Sequence, residues 1–476
     1  MWIIFILFHM AISLPAWSTV GDAFLNPSNH VILAVNLLVV VGSLLSLYYP
    51  RKHYLFFGVI ICFALAKIDA LPFIANHLVL ALIIHLTILV SLLLYWDSSK
   101  SIKERIKYWF DKTAPYLRVE LLILYFFVVL HKLNVDYFDP SVSCSVDLYT
   151  EILAVFPFLP EGMWINWSVI IGTLLFELMI PVFLIVPVTR NIGVFAGLVF
   201  HLLLSLHPNL YILSFSAELY ALYILFLPGQ VLVRIHGILT KVFSSLSVKR
   251  LLLYLFSTGT LLVAGYIMYS WTISEAELLT HLKENLNNVF VVMHGVWILW
   301  GIGLTALAYF IFQNHWLIRS ESFKPALKLS WSPLLLFVLL TFFNGITPYA
   351  GLKTSTNFSM FSNLKVEGEN TNHLFMPALT RLSDIQTNTV TLLETDDPYL
   401  QNYIKRNERI TYFELTRYLY NNLHKDIHVS YRKDNREKTI QIPEQPPEKW
   451  LTSSYLERKL LNFRGVPASG PTPCQW

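Results

Sequence analysis

The sequence predicts an all-α polytopic membrane helix bundle of about eleven transmembrane helices over residues 1–348, followed by a small α+β extramembrane C-terminal domain over 349–476. Three observations predict it. Of the 476 residues, 55% are hydrophobic and only 14% charged, with a mean hydropathy of +0.53, a composition foreign to soluble enzymes. Apolar runs of about 20 residues, the length that crosses a bilayer, recur up to position 348. After Tyr349 the chain turns polar and holds sixteen of the 35 Lys and Arg. The formal charge of +4 is too small to point to nucleic acid. No P-loop, dinucleotide fingerprint or CxxC pair occurs, so no metal site is expected.

The apolar runs are 2–19, 30–49, 53–73, 76–96, 117–134, 165–187, 190–207, 210–228, 250–271, 289–312 and 331–347. The first has no Lys or Arg before it, so it reads as a retained membrane helix and not a cleavable signal. Numbering the loops alternately puts sixteen Lys and Arg on the side of the N-terminus, from Arg51 to Lys328, and only Lys283 in the opposite loops. By the positive-inside rule the N-terminus is cytoplasmic, and loop 135–164 and the tail lie outside, as expected for a protein of a bacterial inner (plasma) membrane. Segment 97–118 mixes lysines with Ile102, Ile106, Trp109 and Phe110, which fits either a short interfacial helix on membrane lipids or a plain connector. In the tail, 388–394 alternates like a strand and 398–424 has helical spacing. Residues 427–442 read as a hairpin turning at Lys433-Asp434-Asn435, and 447–462 as one more helix.

The polar groups that interrupt the apolar runs are the candidate functional residues. The run 117–134 ends in His131, Lys132 and Asn134, followed at once by an acidic, aromatic loop beginning at Asp136. Burial disfavours an ammonium group, so Lys132 is either a base in a low-dielectric pocket or an interface lysine snorkelling to water. Glu177 lies deep in the run 165–187 and His201 at similar depth in the next, so a Glu177–His201 pair is expected, as a site or as a strut. Lys67 and Asp69 fall near the outer end of their helix, and Glu218 and His294 are single polar residues for which a structural partner is expected. The segment 344–363, rich in small, amide and aromatic residues, reads as a loop over the outer mouth or as a plain connector.

These residues carry a resemblance. The stretch from Tyr125 to Asp136, with His131, Lys132 and Asn134, resembles the Lys-Lys-Leu-Asp segment of vitamin K-dependent gamma-carboxylase and of the wider family with a horizontally transferred transmembrane (HTTM) domain. Phe176-Glu177, then Arg190 to Gly193, then Phe200-His201, is similar to the Arg-Ile-Gly…Phe-His stretch of that family. The resemblance implies a multi-helix domain whose active end faces the lumen or periplasm, and a reduced quinone as cofactor. It also implies a base at the position of Lys132; His131 stands where that family has the first lysine of its pair. Two readings follow. One is a membrane enzyme with Lys132, His131, Glu177 and His201 as catalytic candidates, acting on a quinone-like or lipid substrate. The other is a non-enzymatic membrane protein of binding, secreted-peptide maturation or transport.

The three cysteines complete the set. Cys62 sits in an apolar run and reads as buried and inert, whereas Cys144 and Cys474 both fall on the outer side, where disulfides persist. A Cys144–Cys474 bond that ties the tail to the loop beside Lys132, as a lid, is expected.

Overall fold

The computed structural model describes residues 2–12, 27–49, 52–227, 275–313, 327–368, 371–376, 381–443 and 453–474. It is mostly helical, and among the described residues six helices are long and apolar enough to cross a membrane: His53–Ala70, Asn76–Tyr95, Glu104–Lys132, Met163–Ile185, Pro187–Leu204 and His294–Phe312. Ala34–Tyr48, Ile212–Phe226 and Leu335–Ile346 are shorter apolar helices, and the run 250–271 lies outside the described residues. The chain is a membrane protein by these helices.

In chain order the helices are α1 (Trp2–Ile12), α2 (Pro27–Tyr48), α3 (His53–Ala70), α4 (Asn76–Tyr95), α5 (Ile102–Lys132) and α6 (Cys144–Val155). Then come α7 (Met163–Ile185), α8 (Arg190–Leu204), α9 (Leu210–Tyr223), α10 (Glu275–Phe312) and α11 (Leu335–Ile346). The basic segment 97–118 forms no separate interfacial helix, since residues 102–118 are the first half of α5. Pro115 inside α5 has no N–H for the carbonyl of Asp111, yet the helix continues through it. Cys62 is free and half-buried, more open than a core cysteine.

The chain divides into two compact units. The first comprises Met1–Ile68, His85–Arg118 and Met179–Leu334; the second comprises Asp69–Ile84, Val119–Leu178 and Leu335–Trp476. In the first, α9 packs on α1, α8 and α10. Gly197 of α8 is required there, because an added Cβ would lie 2.4 Å from the Tyr223 ring. In the second unit Gly345 of α11 plays the same part against Phe127 of α5, whose ring would meet a Cβ at 2.1 Å.

The polar tail belongs to the second unit and contains a five-stranded antiparallel sheet in the order β4-β3-β1-β2-β5. Its strands are β1 (Thr389–Thr395), β2 (Glu408–Thr411), β3 (Ile427–Lys433), β4 (Arg436–Ile442) and β5 (Val466–Pro467). The β3–β4 turn places Asp434 and Asn435 at φ 51° and 58°, the left-handed pair that a tight two-residue hairpin needs. The expected helix over 398–424 is two helices, α12 (Pro398–Lys405) and α13 (Tyr412–Asn421), with β2 between them. Asn407 at φ 51° turns the chain after α12, and Thr389, Val390 and Thr391 of β1 then pair with Thr411, Ile410 and Arg409. Asp397 caps α12 and Thr411 caps α13. Of the run 447–462, residues 455–460 form α14 (Tyr455–Leu460), and 447–452 lie outside the described residues. Val390, Leu392, Leu415, Val429 and Ile442 are among the buried core of this sheet and its helices.

Candidate functional site

The second unit is built around the end of α5. A helix terminus leaves its last carbonyls without helical donors, and each needs another. Leu130 O accepts His373 Nε2 at 2.9 Å, His131 O accepts Asn134 Nδ2 at 2.8 Å, and Leu133 O accepts Leu374 N at 2.9 Å. His373 Nδ1 accepts the backbone N–H groups of Phe375 and Met376, which leaves the ring proton on Nε2 for Leu130. Asn134, fully buried, also donates to Ser362 O at 2.6 Å and accepts the N–H of Tyr137 at 2.9 Å. The helix end is thus closed by residues from 134–137 and 362–374.

Lys132, the last residue of α5, is only 2% exposed and does not snorkel. Its Nζ lies 3.0 Å from Oε1 and 2.9 Å from Oε2 of Glu177 on α7, itself 8% exposed. Only the Oε1 contact has hydrogen-bond geometry; Oε2 sits within ion-pair range. The ammonium also stands 6.0 Å from the centre of the Tyr137 ring. Tyr137 is fully buried and its hydroxyl bonds Ser145 Oγ at 2.7 Å; burial, and then the Glu177 carboxylate, push its phenol above the ordinary range. The pair is a buried amine and a buried carboxylate with an aromatic wall.

His131 does not join it. Successive residues on a helix point about 100° apart, so neighbours in sequence face different surroundings. His131 Nε2 donates to Asn357 O at 3.3 Å, so Nδ1 accepts the Tyr349 hydroxyl at 3.0 Å, and the ring stacks on Phe127 at 5.5 Å. Asn357 and Tyr349 belong to the segment 347–368, which overlaps the stretch 344–363 whose chemistry the sequence left open. It is a buried loop with Thr356, Phe358, Phe361 and Asn363 at φ 60°, 71°, 53° and 54°. Asn363 uses every polar atom of its side chain: Oδ1 accepts Cys144 N at 2.8 Å, and Nδ2 donates to Val142 O at 2.8 Å and Thr472 O at 2.9 Å. It therefore caps α6 and holds the tail in one step.

Cys144 and Cys474 are disulfide-bonded, with Cα atoms 4.7 Å apart, as expected from the sequence. Asp136 reinforces the tie, accepting Thr472 N at 2.9 Å and Asn372 Nδ2 at 2.7 Å. Lys353, which sequence reasoning passed over, sits in the buried loop. Its Nζ donates to Thr356 O at 3.2 Å and Thr356 Oγ1 at 3.4 Å, and burial lowers its pKa from the ordinary 10.5 to about 8. Its signal was a lysine inside a run of small and amide residues.

Glu177 takes Lys132, not His201, as its partner. His201 belongs to the first unit, where it lies against the rings of Phe200, Phe215 and Tyr223 at 5.3, 5.2 and 6.0 Å. Also in the first unit, His294 meets the Ser205 carbonyl, whereas among the described residues Glu218 has no hydrogen-bond partner on either carboxyl oxygen. Compared with protein-family models, curated proteins and solved structures, the chain matches none.

Proposed function

We propose that this protein is a membrane enzyme of the HTTM and gamma-carboxylase-like kind, in which Lys132 is the base acting on a quinone-like or other lipid substrate. The observation that carries the reading is the buried Lys132–Glu177 pair at the end of a membrane-length helix. An ion pair withdrawn from water is costly and adds little stability by itself, so a stability role alone explains it poorly. Chemistry explains it better. One proton of the Lys132 ammonium passes to Glu177, leaving a neutral amine and a neutral acid. The amine then takes the hydroxyl proton of the substrate, and the substrate anion is left beside the new ammonium. Tyr137 supplies an apolar wall, and His131 anchors the loop at Tyr349 and Asn357 and takes no proton in this step.

The same reading places the N-terminus in the cytoplasm and the C-terminal domain outside. It is supported by the charge bias of the loops and by a disulfide between loop and tail, which belongs to an oxidising compartment. A second reading, of non-enzymatic partner binding, peptide maturation or transport, draws on the edge strand β4. Arg436 to Thr439 are exposed, and β3 is the one strand paired with β4 among the described residues, so an extended segment could add there.

Lipid extraction of the purified protein, read by mass spectrometry, separates them. The enzyme reading expects one defined lipophilic molecule enriched over the surrounding membrane. Bulk lipid in the ratio of the membrane, and nothing more, would count against it.

A further inference from the structure

The first unit holds a second file of ionisable groups that the Lys132–Glu177 pair does not use. Lys67 Nζ of α3 lies 2.8 Å from His9 Nε2 of α1, and His9 Nδ1 lies 3.1 Å from Ser214 Oγ of α9. Lys67 is half-buried, while His9 and Ser214 are buried. Glu218 follows Ser214 by four residues on α9, so the two share a helix face one turn apart. Glu218 is fully buried, and neither carboxyl oxygen has a hydrogen-bond partner among the described residues.

A strut holding α1 to α3 and α9 would account for His9 and Ser214. It does not account for Glu218, whose carboxyl bonds no group among the described residues and which stands at the buried end of the same file. Burying an unpaired carboxylate is expensive enough that such a group holds a proton instead. Amine, imidazole, hydroxyl and carboxyl can each both give and take a proton, and chains of such groups inside membranes mark proton relays.

We propose that the first unit contains a proton-transfer path that runs from Lys67 through His9 and Ser214 to Glu218, with Glu218 as the buried proton carrier. The Lys67 ammonium gives a proton to His9 Nε2. Once a protonated Glu218 has discharged to water by the reverse of this route, the Nδ1 proton passes to Ser214 Oγ as the hydroxyl proton of Ser214 moves to the Glu218 carboxylate, which rotation of the Glu218 side chain brings within reach. Lys67 is left neutral and takes its next proton from water on its exposed side; nothing is oxidised or reduced. The other titratable groups on the packed elements have settled contacts. His85 of α4 accepts Trp2 Nε1 at 2.8 Å, His201 of α8 lies against Phe215, and His294 of α10 meets Ser205 O.

The test uses full-length protein in liposomes and dicyclohexylcarbodiimide, which modifies protonated carboxyl groups in apolar surroundings, with labelling at Glu218 read by mass spectrometry. The path predicts that wild-type Glu218 is labelled. Labelling should fall several-fold as the pH is raised on the side of the Lys67 end of α3, and should ignore the side of the Lys52 end. In His9→Phe and Ser214→Ala the label should persist without that response. Three results would overturn the proposal: an unlabelled Glu218, a wild-type response to neither side or to the wrong side, or variants that respond as the wild type does. The wild-type arms need no variant, so a variant that fails to fold leaves the test intact.

Discussion

Lys132 and Glu177 are 45 residues apart in sequence, yet each was conspicuous there as a charge within an apolar run. What the sequence hid was the pairing. Matching depth on adjacent helices favoured His201 for Glu177, but a buried carboxylate is better compensated by a full opposite charge than by a neutral ring. Removing one member should therefore cost about 3–5 kcal/mol, because the other is left buried and charged. Thermal unfolding in detergent should show Lys132→Met and Glu177→Gln each well below wild type, with Lys132→Met/Glu177→Leu recovering most of the loss. Equal, additive losses would mean that the pair is not coupled. Lys353 gives a second test at this scale. Its folded pKa of about 8 lies below the ordinary 10.5, so between those values the unfolded chain binds more protons and stability rises with pH. Below about 8 the buried ammonium carries its full penalty. Competitive acetylation should give Lys353 a midpoint near 8, and a midpoint near 10.5 would show a solvated amine.

At the scale of elements, hydropathy located the long apolar helices because bilayer length and burial leave a direct mark on composition. The hairpin was equally legible, since Asp434-Asn435 tolerates the left-handed backbone that its turn requires. Helical spacing over 398–424 concealed β2, because a four-residue strand is too short to disturb a 3.6-residue period, and its stop signal was the single Asn407. The loop 347–368 was visible only as odd composition; its order depends on Asn363 and Asn134 bonding backbone from distant segments, which no local pattern encodes. Asn363→Ala removes the acceptor for Cys144 N and should loosen α6 by about 1 kcal/mol, the usual worth of a helix cap. Hydrogen exchange should be faster in the first turn of α6 while the sheet core is unchanged. Unaltered exchange at Cys144 and Ser145 would remove Asn363 from that role.

For the whole molecule, the bond between Cys144 and Cys474 spans 330 residues. In the chain-entropy account so long a loop is worth ~6 kcal/mol, and engineered cases often give less. The sheet has its own core and caps, so reduction should free the stretch 453–474 to proteolysis without unfolding β1 to β4. Mapping of non-reduced peptides should recover the Cys144–Cys474 link, and alkaline phosphatase fused after Trp476 should be active. Free thiols at both positions, or a stable inactive fusion, would contradict the outward placement of the tail. Cysteine placement made the disulfide readable from sequence, whereas the division into two units depends on contacts between segments far apart in the chain.

The most direct test of the central claim is optical. Wild-type protein in lipid nanodiscs is titrated anaerobically with a reduced naphthoquinone, and the absorbance of the deprotonated hydroquinone is followed. The account predicts that the anion forms on wild-type protein at a pH where it is absent in protein-free nanodiscs. Both Lys132→Met, which has no amine, and Lys132→Arg, whose guanidinium keeps its proton, should abolish it. An anion signal of wild-type size in a folded Lys132→Met protein, or no signal in wild type, would contradict the assignment of Lys132 as the base.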